Sequence, residues 1–183
     1  MRFLILLSAL VASLHARTPE EAVRIYTERL RSEGMASIAK MMHPEELRRF
    51  QEMMGPLVDV AFTDAEGREL FALFADSADP SKTRQLGAQE FMATFFTWFE
   101  KIQPLVVEAL ANSSFEPIGH VKEGEVAHVV TRSRMKIQEI EIEEMTVIST
   151  KDYQGEAMLM LSGEIKQMAE ALKRSLAPPG GTQ

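Results

Sequence analysis

Between Phe115 and Leu161 apolar and polar residues alternate with a period of two, the pattern of half-buried strands. A two-residue turn at Gln138 and Glu139 sets Ile137 opposite Ile140, Lys136 opposite Glu141, Met135 opposite Ile142 and Arg134 opposite Glu143. Apolar residues then meet on one face and opposite charges meet on the other, so one register satisfies two independent requirements. The alternation predicts strands over 115–121, 126–137, 140–151 and 157–161, with turns at Lys122-Glu123-Gly124-Glu125 and Tyr153-Gln154-Gly155. Continued past Glu143, the register would turn Glu144 inward opposite Ser133. A one-residue bulge at Glu143-Glu144 would bring Met145 and Val147 onto the core face instead, and that bulge is the expectation.

Upstream the period becomes helical. Thr18-Pro19-Glu20-Glu21 is a capping box with proline at the first helical position. It opens a helix to about Glu33, with Val23, Tyr26 and Leu30 inward and Gly34 as the stop. A short helix over 35–42 ends at His43-Pro44, because the residue before proline is pushed out of the α region. Pro44 restarts a helix to about Phe62, with Leu47, Phe50, Met54, Leu57, Val58 and Ala61 on one stripe. A kink or break is expected at Pro56, whose ring crowds the carbonyl four residues back.

A second capping box, Thr63-Asp64-Ala65-Glu66, opens a helix through Ala75, and 76–87 reads as a loop. The helix over 88–103 is the most aromatic, with Phe91, Phe95, Phe96, Trp98 and Phe99. Apolar positions cover more than half its circumference, so it is buried on most sides or lines a cavity. Pro104 starts a last short helix to about Ala111. After the strands, Ser162 caps a final helix carrying Ile165, Met168, Ala169, Leu172 and Leu176. The sum is an α+β layout: N-terminal helices packed on a curved four-stranded antiparallel meander, with a C-terminal helix.

Composition narrows the context. Residues 1–16 hold one basic residue, Arg2, an apolar run from Phe3 to Leu14 and small residues near its end. That is the layout of a secretory signal peptide, too short to span a bilayer stably. Cleavage after Ala16 or after Ser13 leaves a periplasmic or secreted chain with one domain over 17–176. The proline- and glycine-rich tail at 177–183 has nothing to bury and is expected to be disordered. With 27 acidic against 20 basic residues the net charge is −7, and loss of Arg2 makes it −8. That argues against a nucleic-acid partner, which needs basic clusters. The absence of cysteine excludes disulfides, thiol chemistry and lipid attachment through a cysteine. No later segment approaches the ~20 apolar residues of a membrane span.

The order of elements resembles the nuclear-transport-factor-two-like superfamily, in which a curved sheet wraps the helices of a cone-shaped α+β roll. The resemblance rests on the opening helix at Pro19-Glu20-Glu21-Ala22, the short second helix ending at His43-Pro44, and the strands between Phe115 and Leu161. It covers most of Thr18 to Leu176 and extends to small exported bacterial members with no assigned activity. It implies a pocket between helices and sheet. The superfamily includes isomerases and dehydratases beside binding and dimerisation modules, so the resemblance does not choose between them.

An acid–base enzyme on such a roll needs an inward carboxylate or histidine, with a donor for developing oxyanion charge. By parity Ala127, Val129, Thr131, Ser133, Met135 and Ile137 share the inner face, while His128, Val130, Arg132, Arg134 and Lys136 share a solvent or oligomer face. With a two-residue turn at Glu123-Gly124, His120 faces Ala127, Ile118 faces Val129 and Glu116 faces Thr131. His120 and Glu116 then point inward; a turn one residue longer turns both outward. Four residues apart on a strand, they stand ~13 Å from each other, too far for a direct hydrogen bond. They are nonetheless the catalytic candidates.

His43 serves as a helix boundary, and the glutamates from 139 to 144 form a solvated ladder opposite the basic residues. No Gly-x-Ser-x-Gly, phosphate-cradling glycine loop or His-x-x-x-His is present, so neither a cofactor nor a metal is expected. Phe95, Trp98 and Phe99, with inward Thr131 and Ser133, either line an apolar ligand pocket between the aromatic helix and the sheet or are plain core. The resulting expectation is an exported non-catalytic binding or interaction module for a small apolar ligand or a protein. The alternatives are an isomerase- or dehydratase-like enzyme using His120 or Glu116, and a structural homodimer joined through the outer sheet face.

Overall fold

The computed structural model describes residues 17–61, 80–137, 139–163 and 165–167. The expected signal segment, the helix expected from Thr63 to Ala75, most of the expected C-terminal helix and the tail lie outside the described residues. Helices α1 (Pro19–Glu33), α2 (Pro44–Ala61), α3 (Pro80–Gln85), α4 (Ala88–Ile102) and α5 (Pro104–Ala111) precede strands β1 (Ser114–Glu123), β2 (Val126–Ile137), β3 (Ile140–Tyr153) and β4 (Glu156–Leu159). A 3-10 helix, Met35–Lys40, joins α1 to α2. The fold is α+β, with the helices packed against a four-stranded antiparallel sheet of order β1-β2-β3-β4. Ser162 begins the short C-terminal helix, its Oγ accepting from the Ile165 N–H at 3.4 Å.

Helix α1 begins as its capping residues dictate: Thr18 Oγ1 accepts from the Glu21 N–H at 3.2 Å. It ends at Gly34, with φ 80° and ψ −178°. Ala22, Val23, Thr27 and Leu30 form its buried stripe, and Tyr26 packs on Phe115 with ring centroids 5.7 Å apart. Arg31 Nε donates to the Ser113 carbonyl at 2.7 Å, which ties the end of α1 to the start of β1.

Three helical expectations are corrected. The second helix is 3-10 and stops at Lys40, because Met42 leaves it to form a parallel bridge with Leu159. Of the kink or break expected at Pro56 the break is absent, since α2 continues through Gly55-Pro56, with Leu47, Phe50 and Met54 in the core on its N-terminal side. Part of the expected loop over 76–87 is helix α3, with Pro80 at its first position.

The β2–β3 hairpin has the register its side chains specify, with Ile137↔Ile140, Lys136↔Glu141, Met135↔Ile142 and Arg134↔Glu143 as partners. The bulge expected at Glu143-Glu144 is absent: Ser133↔Glu144, Arg132↔Met145 and Val130↔Val147 continue a regular ladder. The physical reason is that the inner face is uncovered there. Ile140 and Ile142 are 65% and 43% exposed, so the hairpin overhangs the helical layer and Glu144 keeps its water without a bulge.

The β1–β2 turn falls at Gly124-Glu125, one residue later than Glu123-Gly124, because Gly124 accepts φ 61°. The pairing moves by two and puts His120 opposite Val129, which preserves its inward parity. A β-bulge between Pro117 and Gly119 then shifts the pairing by one, so that Glu116 faces Arg132 on the outer face. Glu116 is thus outward, against expectation.

The core is aromatic. Phe50 of α2 is fully buried and lies 5.2–6.1 Å from the rings of Phe91, Phe95 and Phe96 on α4. The outer edge of β4 is closed by the chain itself: His43 N–H donates to Leu159 O, Leu159 N–H to Met41 O and Ala157 N–H to Arg17 O. That pairing removes an exposed strand edge.

Candidate functional site

Among the described residues, three places bring chemically useful side chains together: the inner face with its flanking pair His120 and Glu20, the outer face of the sheet, and a cleft at the start of α2.

On the inner face the residues expected to line a pocket are engaged with one another. Phe95 and Trp98 are buried with ring centroids 5.4 Å apart, and Phe99 stacks on Phe95 at 6.3 Å. Thr131 Oγ1 lies 2.7 Å from Thr146 Oγ1, and Ser133 Oγ donates to the Glu144 carbonyl at 3.5 Å. The inward hydroxyls therefore find partners in the neighbouring strand. Neither of the two cavities described is lined by any of these five residues.

His120 and Glu116 lie on opposite faces of the sheet. His120 Nδ1 is 2.5 Å from Glu20 Oε1 in the first turn of α1, whereas Glu116 approaches Arg132 at 3.8 Å. The hydrogen bond from His120 holds the Glu20 carboxyl below its ordinary value. Sequence reasoning missed Glu20 as the partner of His120 because nothing local links α1 to β1.

The outer face divides into two halves along the strands. At the hairpin end, Arg132, Arg134 and Lys136 of β2 stand beside Glu141 and Glu143 of β3. Glu143 takes Arg134 Nε at 2.9 Å and Arg132 Nε at 3.2 Å, and the Arg134 bond lowers the Glu143 pKa. Towards the middle the face is aliphatic, with Val121, Val130, Met145 and Val147 on three adjacent strands. His128 closes the patch, bonded to Ser149 Oγ at 2.9 Å and to Glu123 at 3.2 Å.

The cleft, of about 600 Å³, lies between the start of α2 and the end of β3. The edge pairing of His43 on Leu159 fixes its position, and Pro44 turns the chain into α2. The His43 ring is buried; its Nδ1 accepts from the Glu45 N–H at 3.2 Å, and it stands nearly perpendicular to the Tyr153 ring with centroids 5.5 Å apart. Lys151 Nζ bridges Glu45 at 3.1 Å and Glu125 at 3.4 Å. Its hydrogen bond holds the Glu45 carboxyl below its ordinary value and raises the Lys151 ammonium. Arg48 lines the same cleft one turn into α2.

His43 reads in sequence only as a helix boundary. The pairing of Met42 with Leu159, which sets it beside Tyr153, has no local signal. Among the described residues no three His, Cys, Asp or Glu side chains converge as a metal site, and no helix is long and apolar enough to cross a membrane. No family model, curated protein or solved structure matches this chain.

Proposed function

We propose that the protein is an exported, non-catalytic interaction module whose binding surface is the outer face of the sheet, and that its partner there is a second copy of the chain. The observation that carries this reading is the aliphatic patch: Val121, Met145 and Val147 are 65%, 58% and 58% exposed beside Val130. A contiguous apolar patch rimmed by charge has the anatomy of a protein–protein interface. The signs of the rim select the partner. A two-fold axis along the β2–β3 seam keeps each residue's height along the strands and reverses the strand order. It lays aliphatic on aliphatic and sets the basic row of one copy over the acidic row of the other, an isologous arrangement. Sheets packed face to face stand about 10 Å apart, a gap that valine and methionine side chains from both sides fill. Export is supported by the apolar run and small residues of 1–16.

Sedimentation velocity on the processed chain tests the proposal. A dimer that Val147→Asp converts to monomer is expected. A wild-type chain that stays monomeric across the concentration range, or a dimer indifferent to Val147→Asp and Met145→Asp, would refute it.

A further inference from the structure

We infer that the cleft between the start of α2 and the end of β3 binds a small organic acid through a single carboxylate. This site is separate from the outer sheet patch, and its occupancy does not depend on dimerisation. The first ground is His43. It is 4% exposed, yet only Nδ1 has a hydrogen-bond partner; Nε2 has none among the described residues and is not sealed off. Because Nδ1 accepts from the Glu45 N–H, the neutral ring carries its proton on Nε2. A buried imidazole that lines the cleft thus keeps one N–H donor without a protein partner among the described residues.

The second ground is charge. The lining holds two acids, Glu45 and Asp152, and two cations, Arg48 and Lys151. Lys151 is committed to Glu45 and Glu125, and Asp152 Oδ1 accepts from the Gly155 N–H at 3.2 Å. Among the described residues Arg48 comes within ion-pair distance of no carboxylate, and its charge acts on Glu45 only at longer range, where it adds to the lowering of that carboxyl. A guanidinium presents two parallel N–H groups that match one carboxylate. The N-terminal end of α2, Pro44–Ala61, adds the positive end of its dipole. The balance of two acids against two cations disfavours a multiply charged anion such as phosphate. Leu47, Pro44, Ala88 and Tyr153 supply apolar wall for a short carbon skeleton, and the volume is that of a metabolite-sized site.

Titration of the isotope-labelled chain with acetate, hexanoate and benzoate, followed by amide shifts, tests this. At least one of the three is expected to shift Glu45, Arg48 and Tyr153 saturably, while benzamide and inorganic phosphate leave them in place. Arg48 is exposed, so Arg48→Gln keeps the fold and weakens the binding acid by about tenfold, the loss of one bidentate charged contact. The inference is overturned if all three acids leave those amides unmoved, if benzamide or phosphate binds as well as the acids, or if Arg48→Gln binds unchanged.

Discussion

Ser133 and Glu144 face each other across an unbroken β2–β3 ladder, with the serine buried and the glutamate in water. One strand is covered at that height and its neighbour is not. Because no residue is inserted, Met145 and Val147 fall on the outer face, and the aliphatic patch exists for that reason.

The ladder predicts opposite responses to one substitution at two neighbouring valines. Val129 is fully buried and Val147 is outward. Val129→Thr places a hydroxyl in the core and should cost about 1–3 kcal/mol, whereas Val147→Thr should stay within about 0.5 kcal/mol. Urea unfolding at one low protein concentration compares them; equal losses would mean that the register is misassigned.

Phe50 is the side chain on which α2 and α4 meet. Phe50→Ala removes a fully buried ring and should cost about 3–5 kcal/mol, a large share of the stability of a domain this size. Denaturant unfolding of Phe50→Ala and Phe50→Leu should order them wild type, Leu, Ala.

Gly34 separates α1 from the 3-10 helix at φ 80°, and a Cβ there would stand 2.6 Å from Glu100 Oε1. That oxygen accepts from the Met35 N–H at 2.5 Å, so it cannot retreat without giving up the bond. Gly34→Ala should therefore cost about 1–3 kcal/mol through backbone strain. Thermal melts of Gly34→Ala against Glu100→Gln separate strain from the lost charged contact; a Gly34→Ala melt matching wild type contradicts the prediction.

The Glu20–His120 pair gives an acid limb. The folded state holds the Glu20 pKa below its ordinary 4.5, mainly through the hydrogen bond to His120. A carboxylate with a depressed folded pKa contributes stability that is present above 4.5 and is lost as pH falls through the folded value. Glu20→Gln should accordingly be less stable than wild type above that pH, with the difference shrinking on acidification. A gap between the two unfolding midpoints that does not narrow with falling pH would exclude this linkage.

The short-range features were legible in the residues themselves. Thr18, Pro19 and Gly34 bound α1, and the charges on Arg134, Lys136, Glu141 and Glu143 set the hairpin register. Each rests on partners a few residues apart, where local propensity and pairing decide the outcome. Alternation also named the faces correctly on β2, where Ala127, Val129, Thr131 and Ser133 are buried.

What the pattern could not contain is how far the helical layer reaches over the sheet. A buried Glu144 would have required a bulge, because an unpaired carboxylate is costly to desolvate; an overhanging strand removes that cost, and only the packed structure shows the overhang. The side of the sheet taken by Glu116 was likewise decided by the bulge between Pro117 and Gly119, one residue that alternation does not announce. The meeting of His43 with Tyr153 and of Glu20 with His120 joins segments far apart in the chain. Sequence alone determined the capped helix α1, the four strands and the β2–β3 register, because those depend on neighbours; the tertiary structure decided what is covered, because burial depends on everything packed around it.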